Sequence, residues 1–438
     1  MTRSLCAGVA LALFAALAPS TGCAADQAFQ QWLAGLWPEA QQMGISRATF
    51  DAATRGLEPD LSLPDLIIPG RPERPSGGQA EFVQAPADYI RESSIQRLAA
   101  QGRKLADENR GTLAEIEKKF GVPGSVVLAI WGRETDFGRA KDSKSAIRVL
   151  ATQAYLGRRK DQFRQEFLLA LKMLDEGDIK LADMKSSWAG AMGLTQFMPS
   201  DYFRSAVDFD GDGRRNIWTS TPDALASAAK QLVDKGWQRG EPWAIEVRAP
   251  RNTDCTVGVP ENTKPISEWL RLGYTPAYGR KLHPEELEIP ASLLQPAGLY
   301  GPSFLTPKNY FVIKEYNFSD LYVLFVGHLS DRIAGKPSFE TPWATLVQMP
   351  TAQVENMQRR LTKVGLYSDK IDGKAGMKTR AALGAYQKAN GLTVDSGRRL
   401  RCWTTCRAPP AGTSAAPLNK LAGAWAGQFS CELTISSR

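Results

Sequence analysis

The sequence predicts a mainly α-helical fold, and three observations support this prediction. Between residues 88 and 240, apolar residues recur at intervals of three and four, and Gly, Pro and Asp separate the successive segments. Residues 311–334 resume the same helical periodicity. The chain has 438 residues, of which 43% are apolar and 23% are charged. This ordinary globular composition allows two or three structural units with at least one large core.

The first 25 residues have the three parts of a secretory signal. A basic Arg3 precedes the apolar run Leu5–Leu17, and small residues follow around Cys23 and Ala25. Cleavage after Ala25 is one interpretation, and a lipoprotein signal with an acylated Cys23 is the other. The apolar run is too short to span a bilayer, and no later segment approaches about 18 consecutive apolar residues. We therefore expect no transmembrane span in the mature chain.

A large first domain is expected over residues 26–335. Residues 26–60 have a helical pattern, and residues 61–87 are rich in Pro and Gly, as in a loop or a wrapped arm. Residues 241–310 are mixed in composition and show few clear periods. The helical part of this domain is therefore expected on both sides of an irregular middle.

A small C-terminal module is expected over residues 351–396, after a linker at 336–350. Its first helix is predicted from one apolar stripe, formed by Val354, Met357, Leu361 and Val364. Its second helix is predicted from Lys378 to Ala389. Residues 397–438 form a divergent tail with an abrupt content of Arg, Cys and Pro.

The charge and the cysteines restrict the partners and the compartment. The formal net charge of +8 favours an anionic polymer, which for an exported chain is the cell wall or a membrane surface before nucleic acid. Solubility alone is the alternative explanation. Cys255, Cys402, Cys406 and Cys431 are too few for a disulfide framework. Cys402 and Cys406 lack a nearby His or Cys pair, so we expect a local disulfide or free thiols rather than a metal site.

Glu134 is the candidate catalytic residue because of its place in a predicted helix. It shares one helical face with three apolar residues, Val127, Ile130 and Trp131. Both an apolar face and a nearby helix C-terminus disfavour a carboxylate, so we expect a raised pKa, which suits a general acid near neutral pH. The alternative is an edge glutamate that reaches solvent or pairs with Arg133 or Arg139.

The glycine-rich segment 187–200 has the composition of a saccharide-facing loop. Glycines let the backbone approach a ligand closely, and Trp188 and Phe197 offer aromatic faces to sugar rings. The Gln196 amide can both donate and accept hydrogen bonds. A tight interhelical turn with core aromatics explains the same composition equally well, so both interpretations remain open.

Residues 208–213 (DFDGDG) match the start of a calcium loop. Asp208, Asp210 and Asp212 take positions 1, 3 and 5, and the Arg214 carbonyl takes position 7. Position 12 is Thr219 rather than Glu, and the next carboxylate is Asp223, near a predicted helix start. We expect Ca²⁺ over residues 208–223 and no organic cofactor; a plain acidic turn is the alternative.

Three polar or aromatic residues in the late helical run are further candidates. Tyr316, Asn317 and Tyr322 lie within residues 311–334, where buried core aromatics are the first interpretation. A tyrosine hydroxyl beside an active-site carboxyl, which it would orient, is the second. His283 and His328 are far apart in the sequence, so we expect them to be structural.

Five ordered motifs resemble the membrane-bound lytic transglycosylase B family: GVPGSVVLAIWGRETDFGR, SSWAGAMGLTQFMPSDYF, DFDGDGRRNIW, PAGLYGPSFLTPKNY and KEYNFSDLY. The resemblance covers about residues 28–335. It implies a lysozyme-like helical catalytic domain and a periplasmic enzyme. It also implies non-hydrolytic cleavage of the MurNAc–GlcNAc β-1,4 bond of peptidoglycan, with formation of a 1,6-anhydro sugar.

The resemblance also assigns roles residue by residue. Glu134 matches the catalytic acid, which is expected to act first as an acid and then as a base. Ser187, Gln196 and Tyr316 match saccharide-contacting positions, and we add the neighbouring Asn317. The calcium positions match Asp208, Asp210, Asp212, Arg214 and Asp223. One extra residue precedes Asp223, which leaves the last ligand open.

Residues 351–395 resemble a three-helix peptidoglycan-binding module, which would concentrate the chain on the wall. We interpret the tail beyond it as an altered reading frame or a divergent extension that leaves the module incomplete. Two alternatives to a transglycosylase stay open: a lysozyme-type hydrolase on the same fold, and a catalytically silent wall-binding scaffold. The intact Glu134 argues against the scaffold.

Overall fold

The computed structural model describes residues 21–72, 80–250, 253–344, 349–392 and 394. Most of the predicted signal over residues 1–25 lies outside this part, as do the Cys23 and Cys255 side chains, Cys402, Cys406, Cys431 and the tail at 397–438. The chain divides into two compact units. Of the described residues, the first unit combines residues 21–72 with residues 142–203, and the second combines residues 80–141 with the described residues from 204 onward.

The described residues form mostly helices, which confirms the predicted fold class. The α-helices, in chain order, are α1 (Thr21–Gly35), α2 (Trp37–Gln42), α3 (Arg47–Thr54), α4 (Ala80–Val83), α5 (Pro86–Tyr89), α6 (Glu92–Glu108), α7 (Arg110–Phe120), α8 (Gly124–Thr135), α9 (Ala146–Leu156), α10 (Lys160–Asp175), α11 (Pro199–Ser205), α12 (Thr221–Asp234), α13 (Ile266–Arg271), α14 (Pro284–Leu287), α15 (Lys308–Asn317), α16 (Asp320–Ile333), α17 (Thr351–Lys363) and α18 (Met377–Ala389). The strands are β1 (Lys144–Ser145), β2 (Lys185–Ser186), β3 (Ile245–Arg248), β4 (Lys264–Pro265), β5 (Thr275–Pro276), β6 (Pro290–Leu294) and β7 (Ser303–Thr306). Three short 3-10 helices lie at Cys255–Val257, Ala277–Gly279 and Gly298–Tyr300. None of the helices in the described part of the chain is long and apolar enough to cross a membrane.

The first unit is built on α9 and α10, which pack against each other. Leu63, Leu66, Val149 and Leu156 form a buried apolar cluster beside α9. Strands β1 and β2 pair antiparallel, with Lys144 opposite Ser186. This pair fixes the start of the 187–200 segment next to α9.

The second unit is centred on α8, which packs against α6, α12 and α16. Glycines allow close packing in this unit. A Cβ on Gly132, in α8, would lie 2.6 Å from the ring of Phe137, which follows the same helix. A Cβ on Gly102, in α6, would lie 2.6 Å from the Ile333 side chain of α16. Gly102 therefore lets α6 pack closely against α16.

The second unit also contains a sheet that the sequence did not predict. Five antiparallel strands lie in the order β4-β6-β7-β3-β5, within the segment 241–310 that has few clear periods. Ile245, Trp269, Leu293 and Leu305 belong to its apolar cluster. Strands of two to five residues are too short to show a two-residue period, which is why the pattern did not predict them.

The late helical run is two helices rather than one. It breaks at Phe318, which has a left-handed backbone conformation (φ 58°) and whose N–H donates to the Lys314 carbonyl. Ser319 then caps α16, because its hydroxyl accepts from the N–H groups of Leu321 and Tyr322. The break places a tight turn between Asn317 and α16.

Helices α17 and α18 form a small apolar core of their own. Val354, Met357, Leu361 and Leu383 are among its buried residues. Val364, predicted on the same stripe, is 44% exposed because α17 ends at Lys363. The sequence predicts a linker over residues 336–350, but in its described part Phe339 stacks on His328, with ring centroids 4.0 Å apart.

Candidate active site

Glu134 lies in the last turn of α8, at the edge of a buried apolar face. The three predicted apolar residues, Val127, Ile130 and Trp131, are buried, but residues 126–131 are all buried, so α8 lies in the core on every side and not along one stripe. Glu134 itself is partly buried. The helix ends at once, because Asp136 and Phe137 both have left-handed conformations (φ 50° and 57°). The carboxyl group therefore sits at a helix C-terminus, where a negative charge is disfavoured.

The carboxyl group of Glu134 accepts a hydrogen bond from the Tyr322 hydroxyl at 2.5 Å. Tyr322 is on α16, which packs along α8, and its ring stacks on that of Tyr316 with centroids 6.2 Å apart. Burial raises the pKa of Tyr322 well above its ordinary value, so the phenol stays protonated and keeps donating. Tyr322 thus binds the carboxyl group directly, and Tyr316 of α15 packs on the ring of Tyr322.

The surroundings raise the pKa of Glu134 to about 7. Burial is the main cause, and the Glu81 carboxylate adds to it; the Tyr322 hydrogen bond and the Arg133 charge act in the opposite direction. The predicted direction of the shift agrees with this value. A carboxyl group with such a pKa is partly protonated at neutral pH, as a general acid requires.

The neighbouring arginines bind other groups than Glu134. The Arg133 guanidinium donates to the Tyr89 hydroxyl, at 3.1 and 2.6 Å, and lies over the Tyr89 ring. Arg139 pairs with Asp136. In the described residues, neither arginine therefore forms an ion pair with Glu134, and the Glu134 carboxyl group binds Tyr322 instead.

Tyr316 and Asn317 form the last turn of α15, and both are partly buried. The Asn317 side-chain oxygen is buried and has no hydrogen-bond partner among the described residues. A buried amide oxygen without a donor is costly. Tyr316 and Asn317 precede and Tyr322 follows the same turn of the second unit, and of these three residues Tyr322 is the one that contacts Glu134.

Ser187 and Gln196 lie in the first unit, within the 187–200 segment. The Ser187 hydroxyl accepts from the Ala191 N–H at 3.2 Å. Gln196 has a left-handed conformation (φ 55°), and its amide donates to the Asp142 carboxylate at 2.8 Å and to the Gly193 carbonyl at 3.1 Å. These contacts fix both side chains, and both remain partly exposed.

Phe197 does not offer a face to a sugar, which decides for this residue between the two interpretations that the sequence left open. It is 1% exposed and forms an antiparallel bridge with Met192, which closes the segment into a tight turn. Trp188 packs partly against the apolar cluster of the first unit. Gly190 lies so close to Leu150 that a Cβ would come within 2.2 Å of it, so this glycine serves packing. The interpretation as a turn with core aromatics therefore applies to Phe197.

The acidic loop brings four carboxylates together. One oxygen atom from each of Asp208, Asp210, Asp212 and Asp223 lies within 4.8 Å of the others. Asp223 is buried, and its two oxygens accept from three backbone N–H groups, those of Phe209, Asp210 and Asn216. The extra residue before Asp223 therefore does not remove it from the group. Arg214 joins the loop through its N–H, which donates to Asp212.

Thr219, at position 12 of the loop, turns to Asn216 and not to the carboxylates. Its hydroxyl accepts from the Asn216 amide at 2.6 Å. Ser220 rather than Asp223 caps α12, by accepting from the Asp223 N–H. The oxygen donors of the group are carboxylates, which fit a hard cation such as Ca²⁺.

Sequence reasoning missed two residues around Glu134, Tyr89 and Glu81, which belong to its charge environment. Arg133 and Tyr322 were considered but not chosen as site residues. Tyr322 and Glu134 are 188 positions apart, so no local spacing joins them. The sequence feature that could have identified Tyr322 is a tyrosine in the helical run 311–334, whose hydroxyl can orient a carboxyl group in the same domain.

Comparisons with known proteins cover both parts of the chain. The model of the transglycosylase SLT domain family matches residues 28–331, and that of a peptidoglycan binding domain matches residues 350–397. Membrane-bound lytic murein transglycosylase B of Escherichia coli (strain K12) is 31% identical over 268 residues, which are 59% of this chain and 69% of that protein.

Solved structures give the same match. SltB3 from Pseudomonas aeruginosa in complex with NAG-anhNAM-pentapeptide is 36% identical, with a TM-score of 0.75 over 85% of this chain and 99% of that one. Its complex with NAG-NAM-pentapeptide is 35% identical, with a TM-score of 0.76 and the same coverage. The soluble lytic transglycosylase SltB1 from Pseudomonas aeruginosa is 26% identical, with a TM-score of 0.52 over 70% of this chain and 98% of that one.

Proposed function

The chain belongs to the transglycosylase SLT domain family, and on this basis we propose that it is a lytic murein transglycosylase. It cleaves the MurNAc–GlcNAc β-1,4 bond of peptidoglycan without water and leaves a 1,6-anhydroMurNAc end. The observation that carries the proposal is Glu134, a single carboxyl group with a pKa of about 7 and a tyrosine donor. The similarity of the chain to SltB3, whose structure was solved in complex with NAG-anhNAM-pentapeptide, supports the anhydro product.

The first step is the departure of the GlcNAc oxygen. Glu134, protonated, gives its proton to the glycosidic oxygen while the bond from that oxygen to C1 of MurNAc breaks. Tyr322 keeps its hydrogen bond to the carboxyl group, which fixes the orientation of the acid during the transfer. The N-acetyl group of the substrate assists at C1.

The second step closes the sugar on itself. The carboxylate of Glu134 takes the proton of the C6 hydroxyl of MurNAc, and the C6 oxygen forms the new bond to C1. Glu134 is thereby protonated again, and no water is consumed. A hydrolase of the usual kind works with two carboxyl groups, whereas this cycle works with one.

We assign substrate contacts to four residues. Tyr316 and Asn317 form the last turn of α15 and are partly exposed, and the Tyr316 ring stacks on Tyr322, whose hydroxyl binds Glu134. Ser187 and Gln196, in the first unit, keep partly exposed polar side chains that suit hydroxyl or acetamido groups. The assignments of Ser187, Gln196 and Tyr316 rest on the family pattern, and that of Asn317 rests on its place next to Tyr316.

We also propose that Ca²⁺ binds in the acidic loop, where it would be held by Asp208, Asp210, Asp212 and Asp223 and by the Arg214 carbonyl. Its contribution would be structural, because it would cross-link the loop to α12 through Asp223. Four close carboxylates repel one another without a cation, which supports a cation at this place.

The reaction takes place on peptidoglycan and so outside the cytoplasm. The C-terminal module, which matches a peptidoglycan binding domain, holds the enzyme on the wall. We place the protein in the periplasm, either released by cleavage after Ala25 or anchored by a lipid on Cys23.

Mass spectrometry of the fragments released from purified peptidoglycan tests the proposal. Fragments with anhydro ends are expected, with a mass about 18 Da lower than that of the corresponding hydrolysed fragments, because no water is added. Reducing ends would instead indicate a lysozyme-type hydrolase. A lack of any release would indicate a wall-binding scaffold and overturn the enzymatic assignment.

A further inference from the structure

The C-terminal module reaches a buried carboxylate that the proposed reaction does not use. This carboxylate belongs to Asp320, the first residue of α16, whose side chain is 6% exposed. One of its oxygens accepts from the Tyr310 hydroxyl at 2.7 Å and from the Lys314 ammonium at 2.6 Å. The other oxygen lies 3.5 Å from the guanidinium of Arg380, in α18. One cation thus comes from the preceding helix and one from the module.

The turn that Asp320 closes carries active-site side chains. Tyr316 lies before the turn and Tyr322 after it; the two rings stack, and the Tyr322 hydroxyl donates to the Glu134 carboxyl group. Between them, the Ser319 hydroxyl donates to the Glu81 carbonyl of α4 at 3.2 Å. The position of this turn therefore determines where both tyrosines stand.

The module also has contacts that lie away from this turn. Lys378 pairs with Glu261 at 2.8 Å, and Lys388 pairs with Asp254 at 2.9 Å. Both pairs are well exposed, and neither partner belongs to the proposed active site. These outer pairs and the buried Arg380 contact can be removed separately.

We propose that Arg380 is a positioning residue for the reaction at Glu134, acting through Asp320 on the turn that carries Tyr316 and Tyr322. The inference rests on the proposed function. A buried carboxylate that loses one of its two cations is left under-compensated, so Asp320 and its turn move toward water. The Tyr322 hydroxyl then leaves its place on the Glu134 carboxyl. The C-terminal module thereby helps to position the catalytic groups, in addition to binding the wall.

The test compares full-length variants on soluble, uncrosslinked glycan strands, so that attachment to insoluble wall does not limit the rate. Arg380→Ala is expected to lower kcat on the order of 10-fold with little change in KM, because misplaced catalytic groups affect the chemical step. Arg380→Lys is expected to restore most of the rate, because the contact with Asp320 is a single charge contact and not a bidentate one. The control is the double variant Lys378→Ala, Lys388→Ala, with an expected kcat close to wild type.

Each outcome decides the inference. Wild-type kcat in Arg380→Ala would overturn it, and so would an equal loss in the control, because general undocking of the module would then be the cause. Failure of Arg380→Lys to restore the rate would also count against it. If Arg380→Ala does not fold, Arg380→Gln takes its place in the same comparison. A wild type that yields no anhydro product overturns the proposed function, and the inference with it.

Discussion

The hydroxyl of Tyr322, on α16, donates a hydrogen bond to the carboxyl group of Glu134, on α8. The two helices pack along each other, and this polar contact stands at the edge of their apolar interface. Its donor keeps its proton because the pKa of Tyr322 is well above the ordinary value. The acid of the proposed reaction is therefore held in one orientation by a neutral group, which does not force it to ionise.

Replacing Glu134 with Gln is expected to abolish the release of anhydro fragments. The amide has the shape of the acid but no proton to give, and a positioned general acid contributes roughly 10²- to 10⁴-fold to a rate. The measurement is the rate of anhydro-ended fragment release, with circular dichroism and binding to purified wall as checks on the fold.

Glu81→Gln is the matched control for this variant, because it makes the same change at a neighbouring carboxylate. It is expected to keep anhydro release, with the alkaline limit of activity at lower pH, because the Glu81 charge raises the pKa of Glu134. Activity of Glu134→Gln near that of wild type would contradict the assignment. Equal loss in both variants would instead indicate a pair of carboxyl groups, as in a hydrolase.

The same Glu134→Gln variant is expected to be more stable than wild type, but only at higher pH. The pKa of Glu134 rises from 4.5 to about 7 on folding, so the folded chain favours the protonated acid. In wild type, the stabilisation from the protonated carboxyl group is complete below about pH 4.5 and is lost as the pH rises through 7. The free energy of unfolding falls by about 3 kcal/mol at most over this range. Partial exposure of Glu134 reduces this figure.

Melting temperatures of both proteins at about pH 5 and about pH 8 measure this effect. The variant is expected to melt higher than wild type near pH 8, with the difference much smaller near pH 5. A difference that does not change with pH would mean that Glu134 does not titrate in this range.

Removing the Tyr322 hydroxyl is expected to change the pH profile as well as the rate. Its hydrogen bond lowers the pKa of Glu134, so Tyr322→Phe raises that pKa. Because the acid works in its protonated form, the alkaline limb of the kcat profile moves to higher pH. At neutral pH, kcat is expected to fall on the order of 10-fold, because the carboxyl group is no longer held. The measurement is kcat against pH on soluble glycan strands.

Tyr278→Phe provides the control, since its hydroxyl donates to the Ser338 carbonyl and its side chain is exposed. This variant is expected to keep the wild-type profile. An unchanged alkaline limb in Tyr322→Phe would show that the Tyr322 hydrogen bond does not set the pKa of Glu134.

Local patterns in the sequence predicted those features that depend on neighbouring residues. The apolar residues before Glu134 in α8 indicated a buried environment beside it, although residues 126–131 are all buried and not only those on one face. The spacing of Asp208, Asp210 and Asp212 likewise indicated an acidic loop within one short turn. Both features are encoded within about a dozen residues, so no fold was needed to find them.

Other features could not be predicted, for physical reasons. The contact between Tyr322 and Glu134 joins positions 188 apart, which only the packing of α8 on α16 brings together. The burial of Phe197 was one of two open interpretations, because glycines and aromatics occur alike in binding loops and in tight turns with buried rings. The break at Phe318 lies inside a continuous helical period, because a single left-handed residue does not interrupt the apolar pattern.

Calcium is expected to stabilise the protein through the acidic loop. The four carboxylates converge within 4.8 Å, and a ligand that binds only the folded state raises its stability by about 2.7 kcal/mol at 100 times its dissociation constant. The melting temperature should therefore rise with added CaCl₂ and fall back with a chelator. Asp208→Asn is expected to lose this response, because Asp208 supplies one of the converging oxygens. Asp107→Asn, an exposed carboxylate paired with Arg110, is expected to retain it. A calcium response equal in both variants, or none in wild type, would remove the loop as a calcium site.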